Sequence, residues 1–138
     1  MKLALGLAAC TLLMGAVLWA QSDDFAEYQD WMKSNAATVA DLNKNLTAKD
    51  GAASHTDVRK LQENLAMVMC YWQARNIPDG AKFALEGTYG LAQVDVLISQ
   101  GKFEDAAAAV KTAQANCAGC HMAHRDKAAD GSFKIKMK

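Results

Sequence analysis

The chain has 138 residues, of which 15 are basic and 15 acidic, so its formal net charge is zero at pH 7. Apolar residues make up 51% of it, which is enough for the core of one domain of this length. The balanced charge excludes the strong basic bias typical of nucleic-acid binding, and we expect no nucleic-acid partner.

The first 20 residues, MKLALGLAACTLLMGAVLWA, have the layout of a secretory signal peptide. We predict cleavage after Ala20, which leaves residues 21–138 as a single domain. Two alternatives stay open. The run from Leu3 to Ala20 is just long enough for an uncleaved membrane anchor, and LAAC, ending at Cys10, resembles a bacterial lipoprotein box. A cleaved signal peptide, a membrane anchor and a lipoprotein box all place the domain outside the cytoplasm, and we predict that it lies in the periplasm.

Apolar residues then recur at alternating spacings of three and four, which is typical of one face of a helix. The first helix has this pattern at Phe25, Tyr28, Met32, Asn35, Val39, Leu42 and Leu46, and the second at Val58, Leu61, Leu65, Val68 and Trp72. Thr56 is the predicted N-cap of the second helix. The stretch LAMVMCYW of that helix is apolar nearly all round, so it needs burial on more than one side.

A third helix is predicted from Ala81 to about Gln100, after an interruption at Pro78, Asp79 and Gly80. Its predicted core residues are Phe83, Leu85, Leu91, Val94, Leu97 and Ile98. Gly87 and Gly90 lower the stability of this helix, and we expect them to permit close approach of a neighbouring helix or of a cofactor.

A fourth helix follows Gly101, and we expect it to end near Ala129. Its pattern is carried by Phe103, Ala106, Val110, Ala113, Cys117, Cys120 and His124. Four helices joined by short links predict an all-α fold, an antiparallel up-down-up-down four-helix bundle.

The fourth helix contains the motif CAGCH, in which two residues separate Cys117 from Cys120 and His121 follows directly. This is the spacing of c-type haem attachment, where each thiol adds to a porphyrin vinyl group and the histidine binds the iron. A zinc site needs four ligands, and a second pair at comparable spacing is missing. A thioredoxin-like pair would accompany a βαβ pattern, and a disulfide would close a very short loop within a helix. The motif predicts one covalently attached haem c.

Four helical segments with this motif near the C-terminus resemble the class II cytochromes c, which are cytochrome c-prime and its low-spin, methionine-ligated relatives. The resemblance covers essentially all of residues 21–138, and CAGCHMAHR is its specific part. It implies that His121 is the proximal iron ligand, that the partners are redox proteins, and that helices 1 and 2 can form a homodimer interface.

The residue opposite His121 decides the chemistry, and Met32 is the prediction. In an up-down bundle the start of helix 1 and the end of helix 4 lie together, which puts both residues about 12–14 Å from that end. The resemblance also places the distal residue on the first helix. Met69 on helix 2 is level with them and remains an alternative. Filling a gap in the core is the other role open to Met32.

The charged residues expected around the haem match the pattern of this family only in part. Related proteins often have an arginine one helical turn before the distal residue, where it can pair with a haem propionate, whereas this chain has Tyr28 there. Arg125 matches the usual basic residue of the family, four positions after His121. It either reaches the proximal pocket or a propionate, or acts as a cation at a helix C-terminus.

Two functions follow from the two roles of Met32. If Met32 binds the iron, both axial positions are filled and the protein is a one-electron carrier. If Met32 only packs, the open position admits nitric oxide or carbon monoxide, as in cytochrome c-prime. The sequence contains no nucleophile with a general base and no phosphate loop, so we expect no enzymatic activity. We predict the electron carrier, with gas binding as the alternative.

Overall fold

The computed structural model describes the backbone of residues 4–137 and the side chains of residues 24–137. Its elements are four helices, α1 (Ala4–Thr47), α2 (Gly51–Ala74), α3 (Pro78–Ser99) and α4 (Phe103–His124), and two short strands, β1 (Arg125–Lys127) and β2 (Phe133–Ile135). The predicted fold of four helices is confirmed. The backbone of α1 also includes residues 4–20. The predicted signal peptide otherwise lies outside the described side chains, and its cleavage stays a prediction.

The helices pack in sequence order, α1 on α2, α2 on α3 and α3 on α4. Contacts between α1 and α4 are much sparser than those in the other three pairs. In the part of the chain that the structure describes, no helix combines the length and apolar character needed to cross a membrane.

The core positions that the helical periodicity predicted are buried or partly buried, with one exception. All five predicted core residues of α2 are buried, and those of α1 and α4 are buried or partly buried. Leu85 of α3 was predicted to be in the core, but it is 37% exposed. The buried side chains form two clusters, one around Leu42 and Val94 and a second that contains Tyr28, Trp72 and Cys120. The second cluster lies beside the CAGCH motif.

Two helix starts differ from the prediction. α2 begins at Gly51, because the Asp50 carboxylate accepts a hydrogen bond from the Ala53 amide at 3.0 Å and so caps the free N–H groups. Thr56, the predicted cap, lies inside the helix. α3 begins at Pro78 instead of Ala81, since the fixed φ and missing N–H of proline suit the first turn of a helix.

The end of α4 is also corrected. The helix ends at His124 and not near Ala129, because the backbone becomes extended at Arg125 (φ −105°, ψ 135°). β1 then pairs antiparallel with β2, with Asp126 opposite Lys134. These strands were not predicted. Their pairing brings the C-terminal segment back against the helices, where Ile135 packs on the second cluster.

Gly90 permits close contact between α3 and α4, as predicted. A Cβ at this position would lie 2.8 Å from the Cβ and 3.1 Å from the Cα of Ala113 on α4. At Gly87 a Cβ would lie 3.2 Å from the end of the Leu65 side chain on α2 and at an ordinary 4.0 Å from the Cβ of Asn116 on α4. The first contact is with backbone, which cannot move aside, whereas the second is with the end of a flexible side chain.

We expect Gly90→Ala to lower the free energy of unfolding by about 1 kcal/mol, because overpacking costs about 1–3 kcal/mol and exceeds the gain in helix propensity. Gly87→Ala is the matched control on the same helix and should cost less. Urea unfolding followed by circular dichroism, at equal cofactor content, measures both. Equal stabilities of the two variants would contradict the proposed contact.

Candidate functional site

Two cavities lie between α1 and α4, where the helices pack least. The first, of about 370 Å³, is bounded by Arg125 and by strand β2, and we call it the hairpin cavity. The second, of about 440 Å³, reaches Cys117 and is called the motif cavity. Both are within the range of ligand pockets, roughly 300–1,000 Å³. They share walls that are formed by Tyr28, Met32, Ala36, Cys120 and His121.

The CAGCH motif forms the α4 wall of these cavities. Cys117 lines the motif cavity, whereas Cys120 and His121 line both. Spacings of three and four residues place the three side chains on one side of the helix. Gly119 lets the ring of Phe83 on α3 approach, since a Cβ there would lie 2.7 Å from Phe83 Cε1. Phe83 is thereby a wall of the motif cavity.

Burial sets the protonation of the motif. It raises the pKa of the Cys117 thiol, and it raises the pKa of Cys120 to about 11, with smaller contributions from Cys117 and Asp79. Both thiols are therefore protonated at neutral pH. Burial and the positive charge of Arg125 lower the pKa of His121, which keeps the imidazole neutral and a ring nitrogen free to bind a metal.

Met32 stands on the opposite wall. It is partly buried, packs against the second cluster, and lines both cavities together with His121. Met69 packs against the same cluster but lines neither of these cavities. Tyr28 is one turn before Met32, and burial raises the pKa of its hydroxyl, which stays protonated and can donate a hydrogen bond. The structure thus brings Met32, and not Met69, to the cavities that His121 lines.

Arg125 lies in the wall of the hairpin cavity. Its guanidinium carbon is 4.4 Å from the centroid of the Phe133 ring on β2, a cation–π contact. Its charge reaches His121, whose pKa it lowers. Arg125 therefore belongs to the candidate site.

His124 has a role that the sequence analysis missed. The side chain is only 4% exposed, with Nε2 3.0 Å from Asp79 Oδ2 and Nδ1 3.2 Å from the Lys136 carbonyl oxygen. The Lys136 amide also donates to the His124 carbonyl at 2.8 Å. His124 thus connects the end of α4 to the start of α3 and to the segment after β2. Its place on the core stripe predicted burial, but nothing local indicated its partners.

The residues present fit a haem group. Two thiols and a neutral imidazole lie on one wall and a thioether on the other. The thiols could attach such a group covalently, and the imidazole and the thioether could bind its iron. Cys70, Cys117 and Cys120 are free thiols. Among residues 24–137, no group of three or more His, Cys, Asp or Glu side chains is placed to hold a bare metal ion.

The raised pKa of Cys120 predicts slow alkylation of the folded, haem-free chain. Because the thiolate is the reacting form and the pKa rises from 9.0 to about 11, Cys120 should react roughly 100-fold more slowly at pH 8 than in urea. Its rate should rise with pH until about 11. Exposed Cys70 is the internal control. Mass spectrometry after iodoacetamide pulses gives the rates, and equal rates for Cys120 with and without urea would contradict its burial.

No protein-family model matches this chain, and neither does a curated protein or a solved structure. The functional interpretation of the two cavities therefore rests on the residues that line them and on their geometry.

Proposed function

We propose that the protein is a periplasmic c-type cytochrome that carries single electrons and holds one haem c through Cys117 and Cys120. The observation that carries this proposal is the placement of the CAGCH motif. Its two thiols and its histidine face a largely apolar gap between α1 and α4, and a methionine lines the same gap from the other helix.

His121 is the proposed proximal ligand and Met32 the proposed distal ligand. Both line both cavities, from different helices, and His121 is held in the neutral form that binds metals. The haem supplies the redox chemistry, and methionine–histidine ligation raises its potential. The chain positions the two ligands, and the apolar side chains around them, such as Val39 and Leu65, exclude water.

We infer that the four helices alternate in direction as an up-down-up-down bundle. Each connection is short, at residues 48–50, 75–77 and 100–102. Short links join antiparallel neighbours. This arrangement puts the part of α1 that contains Met32 beside the end of α4 that contains His121.

Gas binding is the second candidate function. Met32 lines both cavities. A rotation of its side chain into one of them would open the sixth position of the iron to nitric oxide or carbon monoxide. In either case we expect no enzymatic activity.

The proposed partners are other redox proteins and a second copy of this chain. A homodimer through α1 and α2 is supported by the outer side of α2, where Met67 is 48% exposed and Cys70 is also exposed.

We expect the wild-type haem to be low-spin and not to bind carbon monoxide. Met32→Ala should convert it into a high-spin haem that binds the gas, because the variant removes the distal ligand. Absorption spectra of both redox states, before and after adding the gas, measure this. Met69→Ala is the matched control and should keep the low-spin spectrum. A wild-type protein that is already high-spin and binds carbon monoxide would favour gas binding. A change in Met69→Ala alone would make Met69 the ligand.

We expect the double variant Cys117→Ala, Cys120→Ala to lose covalent haem entirely, because both thioether bonds are removed. Intact mass of the secreted protein gives the haem content and shows whether the chain starts at Gln21. Cys70→Ala is the control and should keep one haem. Wild-type protein without covalent haem would refute the proposed function.

A further inference from the structure

The two cavities differ in charge. The hairpin cavity is lined by three cationic side chains, Lys33, Arg125 and Lys134, and by no carboxylate. The motif cavity is lined by neither cations nor carboxylates, and its polar side chains include the amides of Asn35 and Asn116. Positive charge is therefore concentrated on one side of the gap between α1 and α4.

A haem has a matching asymmetry. Its two propionate carboxylates lie on one edge of the porphyrin, and its two vinyl groups lie away from them. Cys117, which takes one vinyl group in the proposed function, lines the motif cavity and not the hairpin cavity, and Cys120, which takes the other, lies in the wall that both cavities share. The vinyl side of the ring thus belongs in the neutral cavity, and the carboxylates belong in the cationic one.

We propose that the haem carboxylates lie in the hairpin cavity and that Lys134 of β2 is their main charge partner. This inference rests on the proposed function and adds a cofactor-binding residue to it. The first helix has no arginine one turn before Met32, where Tyr28 stands instead. Lys33 is the cation that the first helix contributes to the hairpin cavity, and Lys134 is the one that strand β2 contributes.

Of the three cations, Lys134 makes the weakest contact with another side chain. Lys33 Nζ is 3.1 Å from Asp30 Oδ1 on the same helix. The guanidinium of Arg125 lies over the Phe133 ring, 4.4 Å from its centroid. Lys134 Nζ is 4.0 Å from Asp126 Oδ2, at the outer limit of an ion pair. Its ammonium group can therefore turn to a carboxylate in the cavity with the smallest loss of existing contact energy.

The backbone of Lys134 is held at the cavity wall from both sides. Its neighbour Ile135 packs against the second cluster, and Lys134 is paired with Asp126 in the register of the two strands. Beyond Ile135, the Lys136 amide donates to the His124 carbonyl at 2.8 Å, and the His124 ring contacts the Lys136 carbonyl. The strand is thus fixed to the end of α4, and only the side chain of Lys134 has to adjust.

Three variants of the haem-loaded protein test this inference. Lys134→Leu removes the charge and the donor, and Lys134→Arg restores both. Lys136→Leu is the matched control, because it removes the same charge two residues further along the chain. The Lys136 side chain lines neither cavity and donates a hydrogen bond to the Met122 carbonyl. The measurements are the propionate bending band in the resonance Raman spectrum and the midpoint potential at fixed pH and ionic strength.

In Lys134→Leu we expect the propionate band to move to lower frequency, because a hydrogen bond to the carboxylate is lost. The midpoint potential should also fall, because a nearby positive charge favours the reduced haem. Lys134→Arg should restore both values, and Lys136→Leu should leave the band unchanged and lower the potential less. Equal effects of Lys134→Leu and Lys136→Leu in a protein that carries haem would overturn this inference alone. Wild-type protein without haem would overturn the proposed function as well.

Discussion

The sparse packing between α1 and α4 is the constraint on which the site depends. The domain holds together because α1 contacts α2 and α4 contacts α3, so these two helices need not meet directly. Small and apolar side chains such as Ala36 and Ala118 line the space that remains. Packed helices normally lie 8–10 Å apart with interlocking side chains, and unfilled apolar space lowers stability. A flat apolar cofactor between α1 and α4 would therefore stabilise the fold as well as give it a function.

The last turns of α4 serve two purposes at once. Its CAGCH motif faces the gap between α1 and α4. His124, three residues after His121, closes the end of the domain. A buried imidazole is costly unless both ring nitrogens have partners, and Asp79 and the Lys136 carbonyl are those partners. The ring also lies 4.7 Å from that of Trp72. The position of the motif is thus fixed by contacts to α2, α3 and the C-terminal strand.

Charge is distributed so that each end of the gap favours one chemical group. Apolar and amide side chains surround Cys117, where neutral vinyl carbons would react, and burial keeps its thiol protonated. Cations surround the other end, where they would meet carboxylates. Arg125 has two effects. It adds a positive charge to the hairpin cavity, and that charge helps to keep His121 neutral. The orientation of a bound haem would then follow from the folded chain.

The sequence by itself determined the four helices, most of their core residues, and the CAGCH motif, because these depend on local periodicity and spacing. Tertiary structure decided the rest. The end of α4 at His124 depends on Asp79, 45 residues away, and on pairing between β1 and β2. Lys134 reaches the site only through that pairing. Such contacts join residues distant in sequence and have no local pattern, so only the folded chain shows them.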